Sequence, residues 1–377
     1  MSTASAFVLL EDGSRFDGIE CGAPGLAAVG EIVFTTSMSG YQEAMTDPSY
    51  RGQLITFTFP MVGNYGVSAR AMESDGIHAR AAIMRAGVDR ADAPSAEHGW
   101  LSWLKEHQIA AVTDLDTRAL VRQIRDQGAM RGGVFPASTP EAEAARQIDA
   151  EPSMVGLDLA REVTPAEPLV VGEGDGPRIA MIDTGVKRSI VENLCARGAT
   201  VELHPCTAGP EELLDNRPDA LFLANGPGDP AALDYIVETI RGLVGKLPVY
   251  GICLGHQLLC RAVGLDTYKL PFGHHGANHP VKDLTTGRVE ITSQNHGFAV
   301  LGPDGARTIE NDEPVRWETE FGAAELTHLN LYDRTVEGLA LKDVAGATVQ
   351  YHPEAGPGPH DALHLFDRFI GEIKAAA

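Results

Sequence analysis

Cysteine is scarce in this chain of 377 residues. There are five, at Cys21, Cys195, Cys206, Cys253 and Cys260, an odd number without a C-x-x-C pair. That pattern excludes a disulfide framework and a zinc ribbon, and it points to a reducing, cytoplasmic setting. Long apolar runs are also missing, and none approaches the roughly 18 residues a membrane helix needs. The opening MSTASAFVLLEDGSRF has a short apolar run with no basic segment before it, so no signal peptide is expected. Positive charge is in short supply: Lys and Arg number 30 against 52 Asp and Glu, a formal charge of −22. So acidic a surface repels phosphate backbones and anionic lipid, which argues against nucleic acid and membrane as partners. No G-x-x-x-x-G-K-[ST] loop occurs. Gly172, Gly174 and Gly176 lie in a loop-like stretch instead of between a strand and a helix, so no nucleotide site is expected in this chain.

What is present reads as an ordinary globular protein. The hydrophobic fraction is 44% and the charged fraction 22%, and the length suits two domains. Residues 7–60 alternate apolar runs with turns, at Phe7–Leu10, Ile32–Thr36 and Leu54–Phe59, which predicts a β-rich unit. Helical spacing follows over 97–107 and 114–127. Asp114 or Asp116 suits the cap of the second helix, and Gly128 suits its end. The stretch 165–177, PAEPLVVGEGDGP, has linker composition. Beyond it, strands at 178–182, 200–203, 220–224 and 248–250 alternate with helices. That alternation predicts parallel βαβ units. The expected fold class is therefore α/β: a β-rich N-terminal domain and a C-terminal doubly wound, mostly parallel sheet. The expected boundaries are 1–152, a linker at 153–177, and 178–377.

The sharpest chemical feature is Gly251-Ile-Cys-Leu-Gly255, between a strand and a helix. A tight strand-to-helix turn needs small neighbours. It raises the nucleophile to the carboxyl edge of the sheet and aims the helix N-terminus at it. The positive helix end favours the thiolate, and the Leu254 N–H is placed to donate to an oxyanion. A buried, inert Cys253 is the plain alternative, and the flanking glycines argue against it. Cys260 lacks such flanks and reads as core.

A cysteine nucleophile needs a base and an orienting group. The strand pattern Ala347–Tyr351 ends in His352-Pro353-Glu354. Proline keeps His352 extended, and residues two apart then share a side, so Glu354 can fix the imidazole. A surface His-Pro turn is the plain alternative. Asn225-Gly-Pro-Gly-Asp-Pro230 follows a parallel strand, where ligands bind in open α/β sheets. The histidines in His274-His-Gly-Ala-Asn-His279 lack a nearby Cys or acid pair to complete a tetrahedral set, so no metal is expected. Gln294-Asn-His-Gly-Phe298 reads as a polar turn.

With its downstream His352-Pro-Glu354, Gly251-Ile-Cys-Leu-Gly-His-Gln257 resembles the class I glutamine amidotransferases. Thr36-Ser-Met-Ser-Gly-Tyr-Gln-Glu43, Thr46-Asp-Pro-Ser-Tyr50, Asp116-Thr-Arg118, Phe272-Gly-His-His-Gly276, Asn278-His-Pro-Val-Lys282 and Ser293–Phe298 narrow the resemblance to the small-subunit family of carbamoyl-phosphate synthases. The resemblance implies hydrolysis of L-glutamine to glutamate and ammonia, with the ammonia channelled to a large synthetase subunit. There bicarbonate and ATP with Mg would become carbamoyl phosphate for arginine and pyrimidine synthesis, so this chain would need no cofactor of its own. It implies Cys253 as nucleophile, His352 as acid and base, and Glu354 as orienting group. Glutamine would be held by Ser49, Gly226, Gly228, Leu254, Gln257, Asn295, Gly297 and Phe298, with Ser49 supplied by the N-terminal domain, which would also dock the large subunit. His296 would lie near the site without a catalytic role. Thr184 stands where the family usually has an aromatic residue and Tyr351 where some members have Gly, and neither belongs to the implied triad. A different amidotransferase and a catalytically silent binding module are the competing readings. The N-terminal domain argues against the first and the intact triad against the second.

Overall fold

The computed structural model describes residues 5–376, so the first residues of the segment expected to lack a signal peptide lie outside it. The chain forms two units, Met1–Leu157 with Pro271–Gly276, and Asp158–Leu270 with Ala277–Ala377.

Seven strands of the first unit close into a barrel. They are β1 (Ser5–Leu10), β2 (Arg15–Glu20), β3 (Ala28–Thr35), β4 (Gln53–Phe57), β5 (Ala81–Ile83), β6 (Ala110–Thr113) and β7 (Met130–Pro136), in the order β1-β2-β6-β5-β4-β3-β7. The two-residue period of a strand sorts the side chains of each apolar run between two faces. Val8, Leu10, Ile32, Phe34, Leu54, Ile83, Val112 and Val134 fill the barrel. Their neighbours Ile55, Phe57 and Ala82 point outward, beneath α1 (Tyr41–Thr46) and α2 (Trp100–Glu106), where Trp100 is fully buried. The helix expected over 114–127 is α3 (Thr117–Gln127). Its cap is Asp116, whose carboxylate accepts the Ala119 N–H at 3.0 Å, and Gly128 ends it at φ 102°. A further helix, α4 (Glu141–Ala150), covers Phe7, Leu9 and Phe135. The excursion Pro271–Gly276 packs into this unit: Phe34 and Phe272 stack at 5.9 Å, and the Thr36 N–H donates to the His275 carbonyl at 3.1 Å.

The second unit holds β8 (Leu169–Val171), β9 (Arg178–Asp183), β10 (Thr200–Pro205), β11 (Ala220–Leu223), β12 (Val249–Ile252), β13 (Thr267–Asp283), β14 (Val289–Val300), β15 (Val315–Thr319), β16 (Gly322–Asn330), β17 (Val336–Leu341) and β18 (Gly346–Val349). They form one eleven-stranded sheet, in the order β14-β13-β16-β17-β18-β12-β11-β9-β10-β8, with β15 beside β16. The run β10-β9-β11-β12-β18 is parallel. The expected parallel sheet is thus the centre of a mixed one. Between residues 267 and 349 no helix intervenes, so neighbouring strands return directly and pair antiparallel.

Helices cover both faces. One face packs α5 (Arg188–Ala196) and, from the far end of the chain, α9 (His364–Ala376) on Phe222 and Tyr250. The other packs α6 (Pro210–Leu214), α7 (Asp234–Leu243) and α8 (Leu254–Ala262) on Leu221 and Leu223. No helix among the described residues is long and apolar enough to cross a membrane.

Two expectations need correcting. The linker is not all connection: β8 pairs antiparallel with β10, and the Gly176 N–H donates to the Gly198 carbonyl at 2.9 Å. A side chain at Gly174 would come within 2.0 Å of that same carbonyl, so the glycines mark close packing at a sheet edge. Gln294–Phe298 is not a turn but the middle of β14. Its polar side chains made it look like a loop, yet they bond one another inside the protein.

Candidate active site

Cys253 stands between β12 and α8, in the second unit, with φ 56° and ψ −106°. Positive φ strains any residue with a side chain, and such strain persists only where surrounding packing enforces it. Here the packing is visible. The Cys253 N–H donates to the Val349 carbonyl of β18 at 2.9 Å, and its carbonyl accepts the Gln257 N–H at 3.2 Å. A Cβ on Gly255 would lie 2.2 Å from the Leu223 carbonyl oxygen, so only glycine lets α8 leave the sheet this closely. No side chain caps the first turn of α8, which leaves backbone donors and the positive helix end beside the sulfur. The thiol itself lies 3.6 Å from the Asn295 carbonyl.

His352 follows the neighbouring strand β18. Its N–H donates to the Ser293 carbonyl of β14 at 2.9 Å, which pins the backbone. His352 Nδ1 meets Glu354 Oε1 at 2.6 Å, as the two-residue spacing predicts, and both side chains are buried. The carboxylate keeps the proton on Nδ1 and leaves Nε2 for chemistry. Burial pulls the His352 pKa down, but Glu354 and Cys253 together outweigh it and raise it to about 10. For Glu354, burial favours the neutral acid, while Lys187 and His352 overturn that and lower it to about 2.

Lys187 carries no local sequence signal. It lies just before α5 and is 2% exposed. Its ammonium donates to Glu354 Oε1 at 3.0 Å and to the Ala355 carbonyl at 2.5 Å. A lysine 167 residues away becomes the counter-ion of Glu354 only because β9 and β18 share a sheet.

The residues expected to hold glutamine divide between the units. Ser49 is in the first, in a single turn Pro48–Tyr50 where its N–H bonds Asp47 Oδ1 at 2.9 Å. Gly226, Gly228, Leu254, Gln257, Asn295, Gly297 and Phe298 are in the second. Gly226 lies in the loop after β11, packed so that a Cβ would meet the Thr184 carbonyl at 2.1 Å and Leu254 Cδ2 at 3.1 Å. Gly228 has φ 94°. The Gln257 amide nitrogen donates to the Phe298 carbonyl at 2.8 Å and to Gln350 Oε1 at 3.0 Å. An amide has two N–H donors, so only its oxygen remains for a ligand. Lys269, also without a sequence signal, holds its ammonium 4.9 Å from the Phe298 ring centre.

Beneath β14 lies a buried polar chain, equally invisible in sequence. Glu337 accepts from Gln294 Nε2 and from Asn330 Nδ2, each at 3.0 Å. The Gln294 oxygen meets His296 Nε2 at 2.9 Å, and His296 Nδ1 meets the Phe298 carbonyl at 2.7 Å. His296 is therefore occupied in holding the strand that carries Asn295, Gly297 and Phe298. Thr184 is buried, bonding the Ala224 and Asn225 carbonyls through its hydroxyl, and the Tyr351 ring is fully buried.

Both units resemble known proteins. Residues 8–134 match the carbamoyl-phosphate synthase small chain domain, and residues 180–371 match glutamine amidotransferase class I. The carbamoyl phosphate synthase small chain of Chlorobaculum tepidum is 44% identical over 373 residues, covering 98% of each chain. That of Syntrophotalea carbinolica is 44% identical over 384 residues, covering 97% of this chain and 96% of the relative. The Salmonella typhi protein of the same name is 43% identical over 388 residues, covering 98% and 97%. The likeness runs along nearly the whole length of both units, and the chain belongs to the carbamoyl-phosphate synthase small chain family.

Proposed function

We propose that the chain is the glutaminase subunit of a carbamoyl-phosphate synthase, with Cys253, His352 and Glu354 as its catalytic residues. The observation that carries this is the cysteine on the strained turn with the Lys187–Glu354–His352 chain behind it. Cys253 sulfur, its proton on His352, attacks the side-chain carboxamide carbon of glutamine. The oxyanion forms at the open first turn of α8, where the Leu254 N–H donates. His352 gives its proton to the departing nitrogen, the C–N bond breaks, and a γ-glutamyl thioester remains beside ammonia. Water, deprotonated by His352, then attacks the thioester and releases glutamate and the thiol. Gly226, Gly228, Gln257, Asn295, Gly297 and Phe298 hold the substrate, with the Gln257 oxygen as an acceptor for its ammonium. Ser49 joins them on the family resemblance alone.

The ammonia passes to a large synthetase subunit, the partner in a heterodimer. That subunit would carry ATP and Mg and make carbamoyl phosphate from bicarbonate for arginine and pyrimidine synthesis. Sparse, unpaired cysteines fit a cytoplasmic complex. The test is glutamine hydrolysis by the purified chain, alone and with the cognate large chain, bicarbonate and MgATP. Acceleration in the full mixture is expected. Hydrolysis indifferent to that chain would indicate a different amidotransferase. A folded protein with no hydrolysis would be a binding module.

Glu354→Gln gives a separate, pH-dependent prediction. Glu354 is among the groups that raise the His352 pKa, whereas burial, which lowers it, stays in the variant. The alkaline limb of kcat/KM, set by loss of the His352 proton, is therefore expected to move down by about one pH unit or more. A limb that stays in place would refute the orienting role.

A further inference from the structure

We infer that the outer face of α3, through Arg118, Arg122 and Arg125, is a contact surface that takes carboxylates of the large synthetase chain. The inference rests on the partner reading given above and deepens it. Within the first unit, these arginines recur at i, i+4 and i+7, all exposed, while Leu120 and Ile124 on the opposite side are buried. With Thr58, Thr117 and the half-buried Val121 they line an open groove of about 500 Å³. Arg118 and Arg122 have no ion pair or side-chain hydrogen bond among the described residues, and Arg125 reaches only its neighbour Asp126 at 2.8 Å.

Their isolation is unexpected on charge grounds. Asp and Glu outnumber Lys and Arg by 22. Other arginines of the same unit find carboxylates, as in Arg80–Glu151 at 2.6 Å and Arg131–Glu11 at 2.7 Å. Packing side by side without neutralisation costs electrostatic energy, which an external anion would recover.

The geometry favours carboxylates spread over a protein face above a single phosphate. Arg118 and Arg125 are seven residues apart, about 10 Å along the helix, which is too far for both to grip one phosphate. The helix N-terminus, the usual phosphate cradle, is already taken by the Asp116 carboxylate. All three residues are arginine, which binds carboxylates through a planar fork and is enriched at protein interfaces where lysine is depleted.

The test measures binding of the full chain to the cognate large chain across a range of KCl concentrations. Arg118→Gln, Arg122→Gln and Arg125→Gln are combined in one variant. A charge-matched control combines Arg217→Gln, Lys246→Gln and Lys374→Gln, exposed sites off this face. The face variant is expected to bind about tenfold or more weakly at low salt, with a shallower salt dependence. The control is expected to bind like the wild type. Glutamine hydrolysis by the isolated face variant, and its melting temperature, are expected to be unchanged. Unchanged affinity in the face variant would overturn the assignment while leaving the partner reading intact. Equal weakening in the control would overturn it too, as a net-charge effect. Pyrophosphate binding to the isolated chain that the face variant loses, with affinity for the large chain retained, would reassign the groove to a small anion. Failure of the wild-type chain to bind any large chain would sink the partner reading as well.

Discussion

Cys253→Ala is expected to abolish glutamine-dependent carbamoyl phosphate synthesis, by about 10³-fold or more, while synthesis from free ammonia by the same complex persists. The thioester route needs a sulfur, and alanine removes it with little change in volume. Cys253 is 2% exposed and belongs to the apolar cluster that also holds Ile252, Tyr250 and Tyr351, where a slightly smaller apolar side chain is accommodated. Alanine would keep the positive φ of 56° and with it the turn. Parallel assays with glutamine and with ammonium chloride check the prediction. Loss of both activities in an assembled complex would mean that Cys253 serves the structure of the complex, and retention of both would remove it from the mechanism.

Gly255→Ala is expected to destabilise the second unit by about 3 kcal/mol or more. Helix propensity alone points the other way, since alanine is better than glycine within a helix by about 1 kcal/mol. Steric contact decides the sign. The new Cβ would lie 2.2 Å from the Leu223 carbonyl oxygen and 2.6 Å from Leu223 Cβ, and β11 is held by β9 and β12 on either side. The alternative is a shift of α8, whose residues from Leu254 to Cys260 are all buried. Gly251→Ala is milder, because its nearest new contact is Leu223 Cβ at 3.0 Å. Urea denaturation midpoints with unchanged slopes would measure both. A stability for Gly255→Ala within about 1 kcal/mol of wild type would refute the tight-turn account.

The charged pair behind the nucleophile adds a pH window to the stability of that unit. The His352 pKa is raised from 6.5, so its contribution is complete below 6.5 and fades as pH rises through about 10. The Glu354 pKa is lowered from 4.5, so its contribution is complete above 4.5 and fades as pH falls through about 2. Both are whole between about pH 4.5 and 6.5.

Local chemistry determined a good deal of this protein. The apolar runs Phe7–Leu10 and Leu54–Phe57 between turn residues mark strands, and a strand turns every second residue to the same face. Asp116 and Gly128 bound α3, since one supplies an acceptor to an orphan N–H and the other takes positive φ. Gly251 and Gly255 around Cys253, and Glu354 two residues after His352, are short-range patterns whose geometry follows from backbone rules. What only the tertiary structure decided is the set of partners distant in the chain. Lys187 meets Glu354 across 167 residues, Glu337 holds Gln294 across 43, and residues 271–276 pack with the first unit after the chain has entered the second. It also turned a linker composition into an edge strand and a polar loop composition into the middle of β14. The physical reason is common to all of these. A buried charge or amide, or a strand that is not amphipathic, is stable only when the fold brings it a specific partner, and that partner's identity is not encoded in the neighbouring residues.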